Sequence, residues 1–124
     1  MDGLYAFIAA MPEGAHILDL GCGPGNVAVH LAAAGHNVTA LDASAEMVAL
    51  ANKHPGVSAR QASFDDISGT DLYDGIWASF SLLHAPKSDL PRYLAALHNA
   101  AKPCARLRVS RARTADRRRT WPVR

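Results

Sequence analysis

Directly after the apolar run His16-Ile17-Leu18 comes Asp19-Leu20-Gly21-Cys22-Gly23-Pro24-Gly25, which reads as a buried strand running into a glycine loop that opens a helix. Glycines at 21, 23 and 25 leave the backbone free to turn sharply and to come within contact distance of a ligand. The following helix points its unpaired N–H groups at the same place, so a small ligand with a carboxylate or phosphate end is expected there. An ordinary glycine turn is the plainer alternative. A second run, Asn37-Val38-Thr39-Ala40-Leu41-Asp42, has strand character and ends in an acid about twenty residues beyond the glycines. In nucleotide-binding α/β sheets an acid at the tip of the second strand accepts hydrogen bonds from ribose hydroxyls. Taken alone, Asp42 reads as a cap of the next helix.

The glycine spacing separates two cofactor classes. The dinucleotide fingerprint is Gly-x-Gly-x-x-Gly, whereas this chain has Gly-x-Gly-x-Gly followed by Asn26. With that spacing, Leu18-Asp19-Leu20-Gly21-Cys22-Gly23-Pro24-Gly25 resembles the first motif of the class I S-adenosylmethionine-dependent methyltransferases, and Asp42 matches their second-strand acid. Tyr73-Asp74-Gly75-Ile76-Trp77-Ala78, with Leu82-Leu83-His84 after it, looks like the fourth strand and following loop of small-molecule members of that family. Lys102-Pro103 resembles the start of the turn before their fifth strand, and the resemblance covers roughly residues 5 to 104.

The resemblance implies an α/β fold, a Rossmann-like doubly wound, mostly parallel sheet with helices on both faces, and S-adenosyl-L-methionine as cofactor with a small-molecule methyl acceptor as partner. Carried over residue by residue, it puts Gly21, Cys22 and Gly23 close to the methionyl part of the cofactor, with Asp19 steadying the loop or the amino group. Asp42 takes the ribose hydroxyls, Ala43 and Met47 lie against the adenine face, and Ser63 and Phe64 flank the adenine. Ala78 and Ser79 end the fourth strand under the cofactor. Met47 reads equally as core.

Strand-like segments near 16–20, 37–41, 57–61 and 74–79 alternate with helical patterns near 25–34, 44–53 and 88–101, the alternation of a parallel α/β sheet. Pro24 suits the first turn of one helix, which stops before Gly35; Ser44 caps the next, which ends before the turn His54-Pro55-Gly56. In the last helix Ser88 is the expected cap, and Leu90, Leu94, Leu97 and Ala101 form a stripe that buries against the sheet.

Charge divides the chain. Residues 1–105 carry five basic side chains (Lys53, Arg60, Lys87, Arg92 and Lys102) against ten acids, net −5, whereas residues 106–124 carry eight arginines against Asp116, net +7. A cofactor-binding core over 1–105 and an Arg-rich disordered tail over 106–124 are therefore expected. A nucleic-acid or acidic-membrane arm is the rival reading of that tail, and nucleic acid is not the expected partner. The family shows glycines, an apolar strand and a final hairpin after its Lys-Pro, whereas here Cys104-Ala105 leads into an Ala/Arg-rich run. Such a run is what GC-rich DNA gives out of frame, so a frameshifted or truncated gene is expected, with only a remnant fifth strand, 107–110, and a sheet incomplete on its C-terminal side. An intact alternative frame in the nucleotide sequence is the test.

A chain of 124 residues with 49% hydrophobic content can build one core unaided, and no run of eighteen apolar residues or secretory leader is apparent. With Cys22 and Cys104 read as small buried residues of a reducing compartment, the expected location is the cytoplasm. His16, His30, His36, His54 and His98 lack paired ligand spacing, so no metal is expected. A sulfonium methyl donor needs little activation, so orientation and exclusion of water can supply most of the catalysis. If the acceptor carries a proton, His84 is the candidate base, against its plainer role as a packing histidine, and Asp65-Asp66 read as a solvated turn. Two other functions stay open: an inactive fragment that binds cofactor weakly or not at all, and a nicotinamide-dependent oxidoreductase.

Overall fold

Glycine, proline and small polar residues set the bounds of the elements. In the computed structural model, which describes residues 3–63, 66–79, 90–110 and 119–122, α1 (Leu4–Ala9) leads into β1 (His16–Leu20), α2 (Asn26–Ala33) and β2 (Asn37–Asp42). They are followed by α3 (Ala45–Ala51), β3 (Val57–Gln61), β4 (Tyr73–Ser79), α4 (Leu90–Ala100), β5 (Ala101–Ser110) and β6 (Arg119–Pro122). Ser44 caps α3 by accepting the Met47 N–H at 3.3 Å. The cap of α2 is Gly25, which places Pro24 one residue ahead of the cap instead of in the first turn. Phe64, Asp65, His84 and Ser88, like the segment 111–118, lie outside the described residues.

One sheet joins the strands in the order β3-β2-β1-β4-β5-β6. The first five are parallel and β6 runs antiparallel to β5. β1 lies between β2 and β4, so the chain winds outward from it in both directions and the direction of winding reverses beside it. That reversal opens a crevice at the carboxyl ends of the strands, the usual place for a ligand in open α/β sheets. Helices cover both faces, as alternation along buried parallel strands requires. On one face Ile17, Val38, Ala40 and Trp77 pack with Leu4 and Phe7 of α1, Ala28 and Leu31 of α2, and Ala51 of α3. On the other, Leu18, Leu20, Leu41, Ile76 and Ala78 pack with Tyr93, Leu97 and Ala100 of α4.

Helix α1 comes so close to β4 that a Cβ at Gly75 would stand 2.6 Å from Met11 Sδ and 2.9 Å from Phe7 Cζ. Phe7 meets the Trp77 ring edge-on at 5.3 Å, and the Arg108 guanidinium lies 5.7 Å from the centre of the same ring. On the outer edge of β3 the Asn52 side chain acts as a short stretch of strand. Its Oδ1 accepts the Ala59 N–H at 2.8 Å and its Nδ2 donates to the Ala59 carbonyl at 3.0 Å.

The pairing of β5 differs from the sequence expectation. Tyr73 stands opposite Ala101, but Gly75 stands opposite Arg106, so residues 102–105 bulge outward against Asp74 alone. Cys104 turns left-handed there, with φ of 67°, and Lys102 Nζ lies 3.2 Å from Asp74 Oδ1. The turn expected at Lys102-Pro103 is thus a bulge inside a strand. Beyond it the ladder runs in register to Ser110, and Arg106–Val109 pairs on its outer side with β6. A boundary between residues 105 and 106 therefore cuts through β5.

Candidate functional site

The glycine loop is built by its neighbours in β2 as much as by its own glycines. Gly21 N–H and Cys22 N–H both donate to the Leu41 carbonyl, at 2.7 and 2.9 Å, and Gly23 N–H donates to Asp42 Oδ2 at 2.8 Å. The other Asp42 oxygen accepts the Ser44 N–H at 2.9 Å, so one carboxylate joins the loop after β1 to the cap of α3. Three successive N–H groups of the loop are thus committed to the tip of β2. The loop returns on itself through Gly25 N–H to the Cys22 carbonyl at 3.1 Å, and the α2 ladder begins with Val29 N–H to the Gly25 carbonyl at 2.9 Å. The N–H groups of Asn26, Val27 and Ala28 precede that ladder and form the positive end of α2.

Two glycines here have separate physical reasons. Gly23, at φ of 56°, adopts a conformation that L side chains avoid, and a Cβ built on it meets nothing within 4 Å among the described residues. The space beside it is an open cradle in which another molecule can lie against the backbone. Gly25, at φ of 97°, is hemmed in: a Cβ there would stand 2.8 Å from His54 Cδ2 and 3.2 Å from Ala51 Cα.

Two acids are buried at this end of the sheet. Asp42 is 6% exposed and Asp19 only 1%. Asp19 stands in register with Ala40 and Trp77, on the face that carries α1 and α2, and its Oδ2 is buried with no hydrogen-bond partner among the described residues. Burial, reinforced by the Asp42 carboxylate, pushes the Asp19 carboxyl from 3.8 up to about 7. Burial, and then the Asp19 and Asp42 charges, push the Cys22 thiol up to about 12, and Cys22 Sγ donates to the Gly23 carbonyl at 3.3 Å. Cys22 is therefore a protonated packing group at neutral pH. An unpartnered carboxylate oxygen beside an open backbone cradle is what a ligand bearing an ammonium group requires, and S-adenosyl-L-methionine fits that donor set.

The remaining described candidates lie at the ends of β3 and β4 or just after β2. Ala43 is exposed and Met47 half-buried, directly after Asp42. Ser63 lies two residues beyond β3, where Asp66 Oδ2 accepts from its N–H at 2.8 Å and its hydroxyl at 3.3 Å, the turn expected for that acid. Ala78 is fully buried between Leu20 and Val109, and Ser79 closes β4. The loop-holding role of Asp42, the Leu41 carbonyl and the approach of His54 were not read from the sequence. Backbone partners carry no residue signature, and a lone histidine in a turn gives no sign of what it faces. Among the described residues no group of three or more His, Cys, Asp or Glu side chains is arranged to hold a metal ion.

Known proteins resemble this chain in sequence and fold. A family model described as a methyltransferase domain matches residues 17–104. The chain is 36% identical over 105 residues to a ubiquinone/menaquinone biosynthesis C-methyltransferase of Rubrivivax gelatinosus, covering 82% of this chain and 41% of that protein. It is 34% identical over 100 residues to a malonyl-[acyl-carrier protein] O-methyltransferase of Erwinia billingiae, covering 79% of this chain and 39% of that one. The chain thus spans about two-fifths of the length of these curated relatives. An S-adenosylmethionine-dependent methyltransferase of Mesorhizobium loti superposes with a TM-score of 0.74 at 28% identity, over 88% of this chain and 53% of that one. A TehB-like methyltransferase of Corynebacterium glutamicum shares the fold with a TM-score of 0.76 at 24% identity, over 86% and 60%.

Proposed function

We propose, because this chain belongs to the S-adenosylmethionine-dependent methyltransferase family, that it binds S-adenosyl-L-methionine at the carboxyl ends of its strands and moves a methyl group to a small-molecule acceptor. The observation that carries this reading is the buried Asp19 oxygen without a partner, next to a backbone cradle held open by Asp42. The cofactor supplies an electrophilic methyl group on a sulfonium, so the protein's task is to bind, orient and keep water out.

Asp19 receives the amino group of the methionyl part, which runs along Gly21, Cys22 and Gly23. Each Asp42 oxygen accepts one backbone N–H and retains lone-pair capacity for a ribose hydroxyl. Ala43 and Met47 form one side of the adenine slot, Ser63 and Phe64 the other, and Ala78 with Ser79 forms the floor. His84, beyond the end of β4, is the proposed base for an acceptor that must lose a proton. The names of the two curated relatives divide between a carbon and an oxygen acceptor, and that division supports a small acceptor without selecting its atom. A cytoplasmic location goes with this reading. It is supported by two free cysteines, and among the described residues no helix is long and apolar enough to cross a membrane.

Calorimetric titration with S-adenosylhomocysteine is the test, with nicotinamide dinucleotide as competitor class and Asp42→Ala as control. Saturable binding that Asp42→Ala weakens by about 1–3 kcal/mol is expected. Preference for the dinucleotide, or no uptake of either by the folded protein, refutes the reading.

A further inference from the structure

The turn after α3 reaches back to the glycine loop through one side chain. His54 Nε2 lies 3.1 Å from the Pro24 carbonyl, thirty residues away in the chain. A carbonyl only accepts, so the ring must carry its proton on Nε2 and donate it. The Pro24 carbonyl stands one residue ahead of the α2 ladder, which starts at the Gly25 carbonyl. The same ring bounds the space at Gly25, where a Cβ would stand 2.8 Å from His54 Cδ2. His54 is itself fixed on both sides: its N–H donates to the Ala51 carbonyl at 3.1 Å, and its carbonyl accepts the Val57 N–H at 3.3 Å. Its turn also sits on α2, since a Cβ at Gly56 would stand 3.1 Å from Ala32 Cβ.

From these contacts we propose that His54 is a positioning residue of the cofactor site, holding the exit of the glycine loop against α3 by donating from Nε2 to the Pro24 carbonyl. The inference rests on the methyltransferase reading of the site. The two ends of the loop are then held by different strand connections. Leu41 and Asp42 fix residues 21–23, and His54 fixes residues 24 and 25, so the open cradle at Gly23 is clamped from both sides. A ligand that lies against the Gly23 backbone needs that shape before it arrives, and a loop free to relax at Pro24 binds more weakly because ordering it opposes binding.

Chain length gives a sharp test. The amide nitrogen of glutamine is as many bonds from Cα as His Nε2, whereas that of asparagine matches Nδ1. S-adenosylhomocysteine should bind His54→Gln about as it binds the native protein, and His54→Asn and His54→Leu about fivefold more weakly. Thermal midpoints report any general loss of stability separately. Amide hydrogen exchange over residues 23–29 in the ligand-free protein should quicken in the Asn and Leu variants and return to native rates in the Gln variant. Native affinity together with native loop exchange in His54→Leu overturns the proposal, as does equal weakening in all three variants. If the native protein takes up no S-adenosylhomocysteine, the cofactor reading fails instead, and the exchange pattern still decides whether His54 holds the loop.

Discussion

Asp19 is walled into the sheet between Ala40 and Trp77, and its carboxyl titrates at about 7 because burial, and then the Asp42 charge, oppose ionisation. In the unfolded chain it titrates near its usual 3.8. Between those two values the folded state holds a proton that the unfolded chain has released, so this residue lowers stability as pH rises from about 4 to about 7 and not beyond. Urea midpoints at pH 5 and pH 8 should show that fall in the native protein, and Asp19→Asn should remove it while raising stability at pH 8. Equal falls in both proteins would mean that the carboxyl is solvated. Asp19 and Asp42 were visible in the sequence because acids in apolar runs stand out. The division of work between them was not: Asp42 holds backbone N–H groups while Asp19 keeps an oxygen open, and both facts depend on strand register.

At the level of elements, β1 and β3 begin and end where the sequence placed them, helped by the glycine loop that closes β1 and the His54-Pro55-Gly56 turn that opens β3. β5 was harder to read. Pro103 and a left-handed Cys104 sit inside it, and its apolar residues alternate with arginine. In the structure that alternation is a sound strand pattern, with Ala105 and Leu107 buried, Arg106 exposed and Arg108 laid over Trp77. Packing of α1 depends on the missing side chain at Gly75. Gly75→Ala should destabilise by about 1–3 kcal/mol through overpacking against Met11 and Phe7. Most of that loss should vanish when Met11→Ala is added, because the sulfur is the nearest obstacle. Strict additivity in this double-mutant cycle would show that α1 is held elsewhere.

For the molecule as a whole, the sequence suggested an acidic core and a separate basic tail, yet the sheet does not respect that division. Arg106 and Arg108 belong to a strand paired on both sides, and Arg108 reaches across to a tryptophan that also anchors α1. The first helix and the fifth strand therefore meet over one ring, a link invisible to any reading by composition. The burial of Cys22 has an experimental use at this scale. Its thiol, raised to about 12, is a poor target for alkylation while the fold is closed, whereas Cys104 is exposed on its bulge. A maleimide should react first and singly at Cys104, and the rate of the slower second addition at Cys22 should report how readily the glycine loop opens, with bound S-adenosylhomocysteine slowing it. The chain thus carries its own stopwatch, a pair of chemical timestamps that needs no added label site.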